Sequence, residues 1–268
     1  MEYLICDMSV TGSDAEFFLN DIPISRLSPD VAEREAMPVN HLLVHGENRL
    51  GILIKPGPTP AKAHGETRME KPALPIHVSA RLSAYPPGAI PGEDPGREIA
   101  LVEHIIPNDR EVQFPHYVEI QFTHAAPVAR WAWQTAPRLT LDERLINNVH
   151  ALLTQLTESL QRADAALFLR LASTRFEENA IAFEEDAAAR RQRWADGLQQ
   201  LSQKPNWTFS PPSLDTMSLR LCADSRMIDC KAADWKPIIC ARQNEHGVYL
   251  VHYPILLANI GGQLQIVR

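Results

Sequence analysis

Asp229 and His252 are the two residues whose chemistry best suits acid–base catalysis. Both fall on predicted strands in the last quarter of the chain, where an apolar pocket could shift their pKa values and allow proton transfer. Trp235, Tyr249 and Tyr253 lie on the same run of strands and are candidates to line that pocket. The competing interpretation makes Asp229 a turn residue and His252 a surface group. We prefer this non-catalytic interpretation, because scattered polar residues near a pocket do not by themselves indicate catalysis.

Trp131 and Trp133 are candidates for carbohydrate binding, because sugar rings stack on exposed aromatic side chains. If this segment is a strand, alternation places both rings on one face. The alternative is a buried pair at a domain boundary, where aromatic rings remove much apolar area from water. We prefer the buried interpretation, and near-complete burial of both rings would exclude the carbohydrate site.

The remaining polar residues have no spacing typical of a metal or cofactor site. His41 and His45 would lie about 13 Å apart on a strand, too far for one metal ion. His104, His116 and His124 could converge in space, but we interpret them as ordinary histidines. Two predicted loops with glycines lie at Gly46-x-Asn48 and from Gly88 to Gly96. Neither is predicted to join a strand to a helix, as a nucleotide-binding loop would. We therefore predict no metal and no cofactor.

Composition limits the partners of this chain. It has 268 residues and a formal net charge of −7, which argues against duplex nucleic acid as a partner, because neutralising phosphates needs clustered Lys and Arg. We interpret the basic run Arg190, Arg191 and Arg193 as a solvated helix face. The sequence contains no apolar run of about 18 residues, so it predicts no membrane span. The first residues lack the pattern of a secretory signal, which predicts a cytoplasmic protein.

The four cysteines form no C-x-x-C pair. Cys222 and Cys230 could bridge a hairpin, but without a secretory signal we expect reduced, partly buried thiols.

The longest helical pattern runs from Thr140 to Leu201. Thr140 and Glu143 have the spacing of a capping box, in which two side chains satisfy backbone N–H groups at a helix start. Apolar residues at steps of three and four then continue to Leu160, which predicts a helix with one buried stripe.

Two further helices are predicted within this region. Asp164 caps a short helix from Ala165 to Leu171. Thr174 and Glu177 form a second capping box, and the helix that follows them is expected to continue to Leu201.

Residues 1–138 are predicted to form an all-β domain. Sixteen of the 21 prolines lie in residues 1–140, and short alternating segments are separated by turn-rich loops. Within Pro38 to Pro56, two apolar segments flank Gly46-Glu47-Asn48, which predicts a hairpin or a tight strand-turn-strand. The order of apolar residues, Gly-Glu-Asn-Arg-Leu and apolar alternation resembles a corner of galactose-binding-like jelly-roll domains. The resemblance implies a jelly-roll-like β-sandwich.

Residues 139–268 are predicted to form an α+β domain, because helices are followed by a meander of strands. Gly261-Gly262 is predicted to be the turn of its last hairpin. This order, ending in Gly-Gly-Gln-Leu-Gln-Ile-Val-Arg, resembles the NTF2-like fold of SnoaL-type domains. The resemblance implies a curved sheet wrapped round a helix, with a pocket between them. Members include small-molecule isomerases and hydrolases as well as non-catalytic binding domains.

These observations together predict a two-domain, non-catalytic binding or assembly module. We expect a protein partner or a homodimer, with a small-molecule ligand in the second domain as a further possibility. One alternative is a small-molecule isomerase or hydrolase that uses Asp229 and His252. The other is carbohydrate binding by the first domain through Trp131 and Trp133.

Overall fold

The structure is a computed structural model that describes residues 2–28, 33–128, 130–204, 207–242 and 249–268. The side chains of residues 242 and 249 lie outside this description. The chain separates into two compact units. Unit 1 comprises Met1–Pro58 and Lys62–Arg130, and unit 2 comprises Thr59–Ala61 and Trp131–Arg268. The predicted domain boundary between residues 138 and 139 stays a prediction.

Unit 1 is β-rich, as predicted. Its strands are β1 (Tyr3–Thr11), β2 (Ala15–Leu19), β3 (Ile22–Leu27), β4 (Arg34–Pro38), β5 (Gly46–Ile54), β6 (Arg68–Glu70), β7 (Ile76–Tyr85), β8 (Arg97–Ile106), β9 (Val112–Phe114) and β10 (His116–His124). Two four-stranded antiparallel sheets have the orders β4-β1-β7-β8 and β10-β5-β2-β3, and β6 pairs with β9.

The core of unit 1 follows from period-two alternation. Along β1, the side chains of Leu4, Cys6, Met8 and Val10 are buried, while the residues between them are partly accessible. Strand β7 repeats the pattern from Ile76 onward. One face of this sheet is therefore apolar, because successive side chains point to opposite faces.

The predicted hairpin within Pro38 to Pro56 is wrong. Only its second segment is a strand, β5, while Asn40–Leu42 forms a 3₁₀ turn. The buried Asn48 amide explains the difference. Its Oδ1 accepts from the Val44 backbone N–H at 2.8 Å and its Nδ2 donates to the Val44 carbonyl at 2.9 Å. This side chain satisfies the backbone groups that a ladder would otherwise pair.

Unit 2 contains the helices α1 (Ala132–Thr135), α2 (Glu143–Gln161), α3 (Ala166–Leu171), α4 (Ser173–Phe183) and α5 (Ala187–Ser202). The predicted first cap is wrong. Asp142 caps α2, with its carboxylate accepting from the Leu145 N–H at 2.7 Å, whereas Thr140 is exposed before the helix. Asp164 does accept from the Ala166 N–H at 2.9 Å, as expected at the start of α3.

The third predicted helix is two helices. The Thr174 capping box does not form, since α4 begins at Ser173 and the Thr174 hydroxyl donates to Gln265. Glu184 then ends α4 in the left-handed conformation with φ 50°. Asp186 caps α5 by accepting from the Ala189 N–H at 2.6 Å. The chain therefore turns where the apolar periodicity alone predicted continuity.

The strands of unit 2 are β11 (Met217–Cys222), β12 (Met227–Ala232), β13 (Ile239–Arg242), β14 (Tyr249–Tyr253), β15 (Ile255–Ile260) and β16 (Gln263–Ile266). An antiparallel sheet has the order β11-β12-β15-β16, and β13 pairs with β14. Gly261 and Gly262, with φ of 60° and 86°, form the predicted turn between β15 and β16. Apolar side chains of α2, α3 and α4 share one core with those of the strands.

Candidate functional site

Asp229 and His252 do not form the predicted acid–base pair. Asp229 lies on β12 and is 2% exposed, and its carboxylate accepts from Arg220 Nη2 at 2.7 Å. His252 lies on β14, in the other sheet of unit 2, and is exposed. The prediction required both groups in one enclosed cavity, and a buried carboxylate engaged by Arg220 with an exposed imidazole on another sheet does not support it. Asp229 instead balances a buried guanidinium.

Trp131 and Trp133 are buried, with exposed fractions of 1% and 6%. The prediction that they lie on a strand is wrong, since Trp133 belongs to α1 and Trp131 precedes it. Arg268 lies over the Trp131 ring at 5.5 Å from its centroid. Neither ring can stack on a sugar from solvent, so this pair does not provide the carbohydrate site.

The other predicted binding residues, Trp235, Tyr249 and Tyr253, do not lie together in one site. Trp235 lies in the turn after β12 with φ 68°, and Lys231 Nζ lies 5.8 Å from its ring centroid. Tyr249 lies on β14, and its side chain is outside the described residues. Tyr253, at the other end of β14, is 8% exposed and lines a cavity together with helical residues.

This cavity of unit 2, which we call the aromatic–arginine pocket, has a volume of about 390 Å³. Small-molecule sites occupy about 300 to 1,000 Å³, so the pocket suits a ligand of one or two rings. Its lining comes from α3, α4, α5, β14 and the turn between α4 and α5: Phe168, Arg175, Phe176, Asn179, Glu185, Arg190, Arg193, Trp194 and Tyr253.

Aromatic rings form one wall of the pocket. Phe168 and Trp194 stack with centroids 4.1 Å apart and an interplanar angle of 10°. Tyr253 lies 5.4 Å from Phe168 and 5.7 Å from Trp194, and Phe176 meets Trp194 edge-on at 6.4 Å. Burial raises the pKa of Tyr253 to about 12, so its hydroxyl stays protonated at neutral pH. Phe168, Phe176 and Tyr253 are only 2%, 5% and 8% exposed, so the half-buried Trp194 supplies the accessible ring of this wall.

Guanidinium groups give the pocket its charge. Three arginines face one carboxylate in the lining, so this small space carries an excess of positive charge. Glu185 Oε2 accepts from Arg190 Nη1 and from Arg193 Nη2, each at 2.8 Å. Arg175 has a different environment. Its Nη1 approaches the Pro254 carbonyl at 3.4 Å, and no described carboxylate pairs with it.

The surroundings of Arg175 weaken its hold on the proton. Desolvation is the main cause, and the positive charges of Arg268 and Arg190 add to it, so that its pKa falls to about 10. The guanidinium nevertheless remains charged at neutral pH. Arg175 is half-buried, and a partly desolvated cation without a described carboxylate partner attracts an anion.

Asn179 supplies an unpaired buried atom. The residue is 6% exposed, and its Oδ1 has no hydrogen-bond partner. Buried polar atoms are nearly always hydrogen-bonded, so an orphan in a cavity wall marks a position for a ligand atom. This oxygen suits a hydroxyl or N–H donor.

Two larger hollows have weaker claims to be binding sites. One of about 750 Å³ lies on the sheet β4-β1-β7-β8 of unit 1, where Asp7 and Arg34 already pair with one another. Another of about 680 Å³ in unit 2 is lined by Pro211, Pro212 and Cys240 among others. Neither combines aromatic rings, an unpaired buried atom and excess charge, as the aromatic–arginine pocket does.

The described residues contain no group of three or more His, Cys, Asp or Glu side chains that could hold a metal ion. His104 and His116 do converge, with stacked rings 4.9 Å apart. The cysteines are free thiols, and burial raises the pKa of Cys6 to about 12 and that of Cys230 well above its usual value. Raised thiol pKa values disfavour the nucleophilic thiolate.

Comparison with family models, with curated proteins and with solved structures finds no match for this chain. None of the helices in the described part of the chain has the length and apolarity needed to cross a bilayer.

The sequence could not have revealed this pocket. Phe176 and Trp194 lie in the segment predicted as one helix after Thr174, and the sequence predicts a solvated face for Arg190 and Arg193. Arg193 is indeed largely exposed, but both arginines point a donor at Glu185 in the pocket lining. The break between α4 and α5, which brings these residues together, interrupts a segment that periodicity predicts as one helix.

Proposed function

We propose that this protein is a non-catalytic binding module, and that unit 2 binds a small molecule carrying an acidic group and a flat apolar ring. The observation that carries the proposal is the excess of guanidinium groups beside an aromatic wall in the aromatic–arginine pocket. Arginine suits carboxylates and phosphates because its planar fork donates two parallel hydrogen bonds.

A binding role fits the pocket better than catalysis. The described lining holds no histidine or cysteine, and its one carboxylate is engaged by two arginines. Tyr253 is a poor base at neutral pH because its hydroxyl stays protonated. An isomerase or hydrolase would need a group ready to move a proton.

We also propose a jelly-roll-like sandwich for unit 1, an NTF2-like cone for unit 2, and assembly with a protein partner or as a homodimer. Two four-stranded antiparallel sheets with apolar facing residues support a jelly-roll-like sandwich for unit 1. Helices followed by antiparallel strands, with a cavity between helices and Tyr253, support an NTF2-like cone for unit 2. A protein partner or homodimer and a cytoplasmic location remain proposals on the sequence alone.

The test uses three probes of similar shape: 4-hydroxybenzoate, phenyl phosphate and the neutral 4-hydroxybenzamide. We expect both anions to shift the Trp194 indole N–H resonance in ¹H–¹⁵N spectra of the full chain, assigned with W194F. The neutral amide should bind much more weakly. If neither anion shifts this resonance, the proposed function is wrong.

Replacing Arg193 by Gln provides the matched test of charge. Removing one partly exposed charge should weaken binding of both anions by up to about 1 kcal/mol, or about fivefold in Kd. R138Q is the control, because Arg138 is as exposed as Arg193 and also pairs with one carboxylate, that of Asp224, outside the pocket. Equal affinities in R193Q and R138Q would show that the anion binds elsewhere.

A further inference from the structure

Glu185 occupies an unusual position at the mouth of the aromatic–arginine pocket. One of its oxygens accepts from both Arg190 and Arg193 at 2.8 Å. The residue lies between Glu184, which ends α4 in the left-handed conformation, and Asp186, which caps α5. The backbone on either side of Glu185 is therefore fixed by the two helix ends, while its side chain reaches back to α5.

We infer that the Glu185 carboxylate holds the place of the ligand's acidic group, and that an incoming carboxylate or phosphate displaces it from Arg190 and Arg193. This inference rests on the proposed function. It adds an internal competitor, which occupies the arginines in the empty protein and is released on binding. Exchange of one oxyanion for another leaves both guanidinium groups paired in the empty and in the bound protein.

The exposure of these side chains makes the exchange feasible. Glu185 is 34% exposed and Arg193 is 63% exposed, so water solvates both partners when they separate. Ion pairs of this exposure are weak. The buried pair of Glu178 and Arg268 contrasts with it, since those side chains are 10% and 2% exposed and would leave unsolvated charges on separation.

Arg175 explains why an external anion can win the competition. Arg175 and Arg190 line the same cavity, and the charge of Arg190 contributes to the lowered pKa of Arg175. Glu185 accepts from Arg190 and Arg193, and no described carboxylate pairs with Arg175. A ligand oxyanion placed in the pocket would gain the attraction of Arg175 in addition to that of the pair it takes over.

The inference predicts that E185Q binds anions more tightly than the natural protein. Loss of the competitor should lower the Kd for phenyl phosphate and for 4-hydroxybenzoate about threefold to fivefold, since a weak pair suppresses the binding-competent state by about that factor. The same titrations of the Trp194 resonance measure it. E185A is the second variant, and should show the same gain without any amide in that place.

E177Q is the matched control. Glu177 also bonds an α5 arginine at 2.8 Å, Arg191, but neither residue lines the pocket. We expect its Kd values to stay within twofold of the natural protein's. Inorganic phosphate in a parallel titration should show the same order of variants if the acidic group alone drives the exchange.

The outcomes separate the two proposals. If anions bind the natural protein but E185Q and E185A bind them equally well or more weakly, Glu185 orients the arginines and the displacement inference is wrong. If neither the natural protein nor these variants bind any of the aryl anions, both the inference and the proposed function are overturned. A gain shared by E177Q would also overturn the inference, because it would reflect overall charge.

Discussion

The arginines of unit 2 differ in what balances their charge. Arg220 is held by Asp229, and Arg268 by Glu178 at 2.5 Å. Arg175 has no such described partner. A guanidinium bound to a carboxylate and excluded from water contributes to structure, whereas one that is left without a counterion is available to a ligand.

Breaking the Glu178–Arg268 pair should destabilise the protein strongly. E178Q leaves a buried guanidinium without its carboxylate, which we expect to lower the free energy of unfolding by about 3 to 5 kcal/mol. Urea unfolding followed by far-UV circular dichroism measures it. E177Q, which breaks an exposed pair, should cost only about 0 to 1 kcal/mol. Similar losses in the two variants would contradict this account.

Site residues were the part that sequence reasoning could least reach. Phe168, Arg175, Trp194 and Tyr253 come from four elements, and no spacing in the chain connects them. Asp229 and His252 were chosen for their chemistry, but strand pairing put the first in a buried ion pair and the second on the surface. Of the predicted binding residues with a described side chain, Tyr253 alone lines this pocket.

At the scale of elements, local patterns succeeded where one interaction dominates. Short alternating segments predicted the strands of the first part, and the alternately buried residues of β1 and β7 give the physical reason, since one buried face imposes period two. Helix periodicity located α2, but it ran through the junction of α4 and α5. A left-handed glutamate ends α4, and neither Gly nor Pro marks that position in the sequence.

Helix capping provides a direct test at this scale. The sequence favoured Thr140 as the cap of α2, and the structure assigns the cap to Asp142. D142A should lower the free energy of unfolding by about 1 kcal/mol, because the Leu145 N–H loses its acceptor. T140A should change it by less than about 0.5 kcal/mol. Chemical denaturation distinguishes the two, and a larger loss in T140A would reverse the assignment.

At the scale of the molecule, two β-containing units divide the chain, and each has its own apolar core. The sequence anticipated the β-rich first part and the helices followed by strands, because composition and periodicity change near residue 140. It did not anticipate that Thr59–Ala61 belong with the second unit. A segment so distant along the chain leaves no periodic signal.

The whole molecule should lose stability as the pH falls below about 6.5. Burial, and secondly the charge of His104, lower the pKa of His116 below its ordinary value of 6.5, and burial also lowers that of His124. The unfolded chain therefore binds protons more readily than the folded one. The stabilising effect is complete above pH 6.5 and is lost as the pH falls through the folded-state values.

Denaturant titrations between pH 5 and pH 8 measure this dependence. H116Q should flatten the profile, since glutamine does not titrate. An unchanged slope in H116Q would show that other groups set the pH dependence.

Arg175 has one more consequence. A half-buried guanidinium without a described carboxylate partner is less well solvated than a free one, and the empty protein carries that cost. Selection for a robust scaffold alone would favour an apolar side chain there. Arg175 is thus a compromise between the stability of the fold and the recognition of a ligand, a trade-off that is common in binding sites.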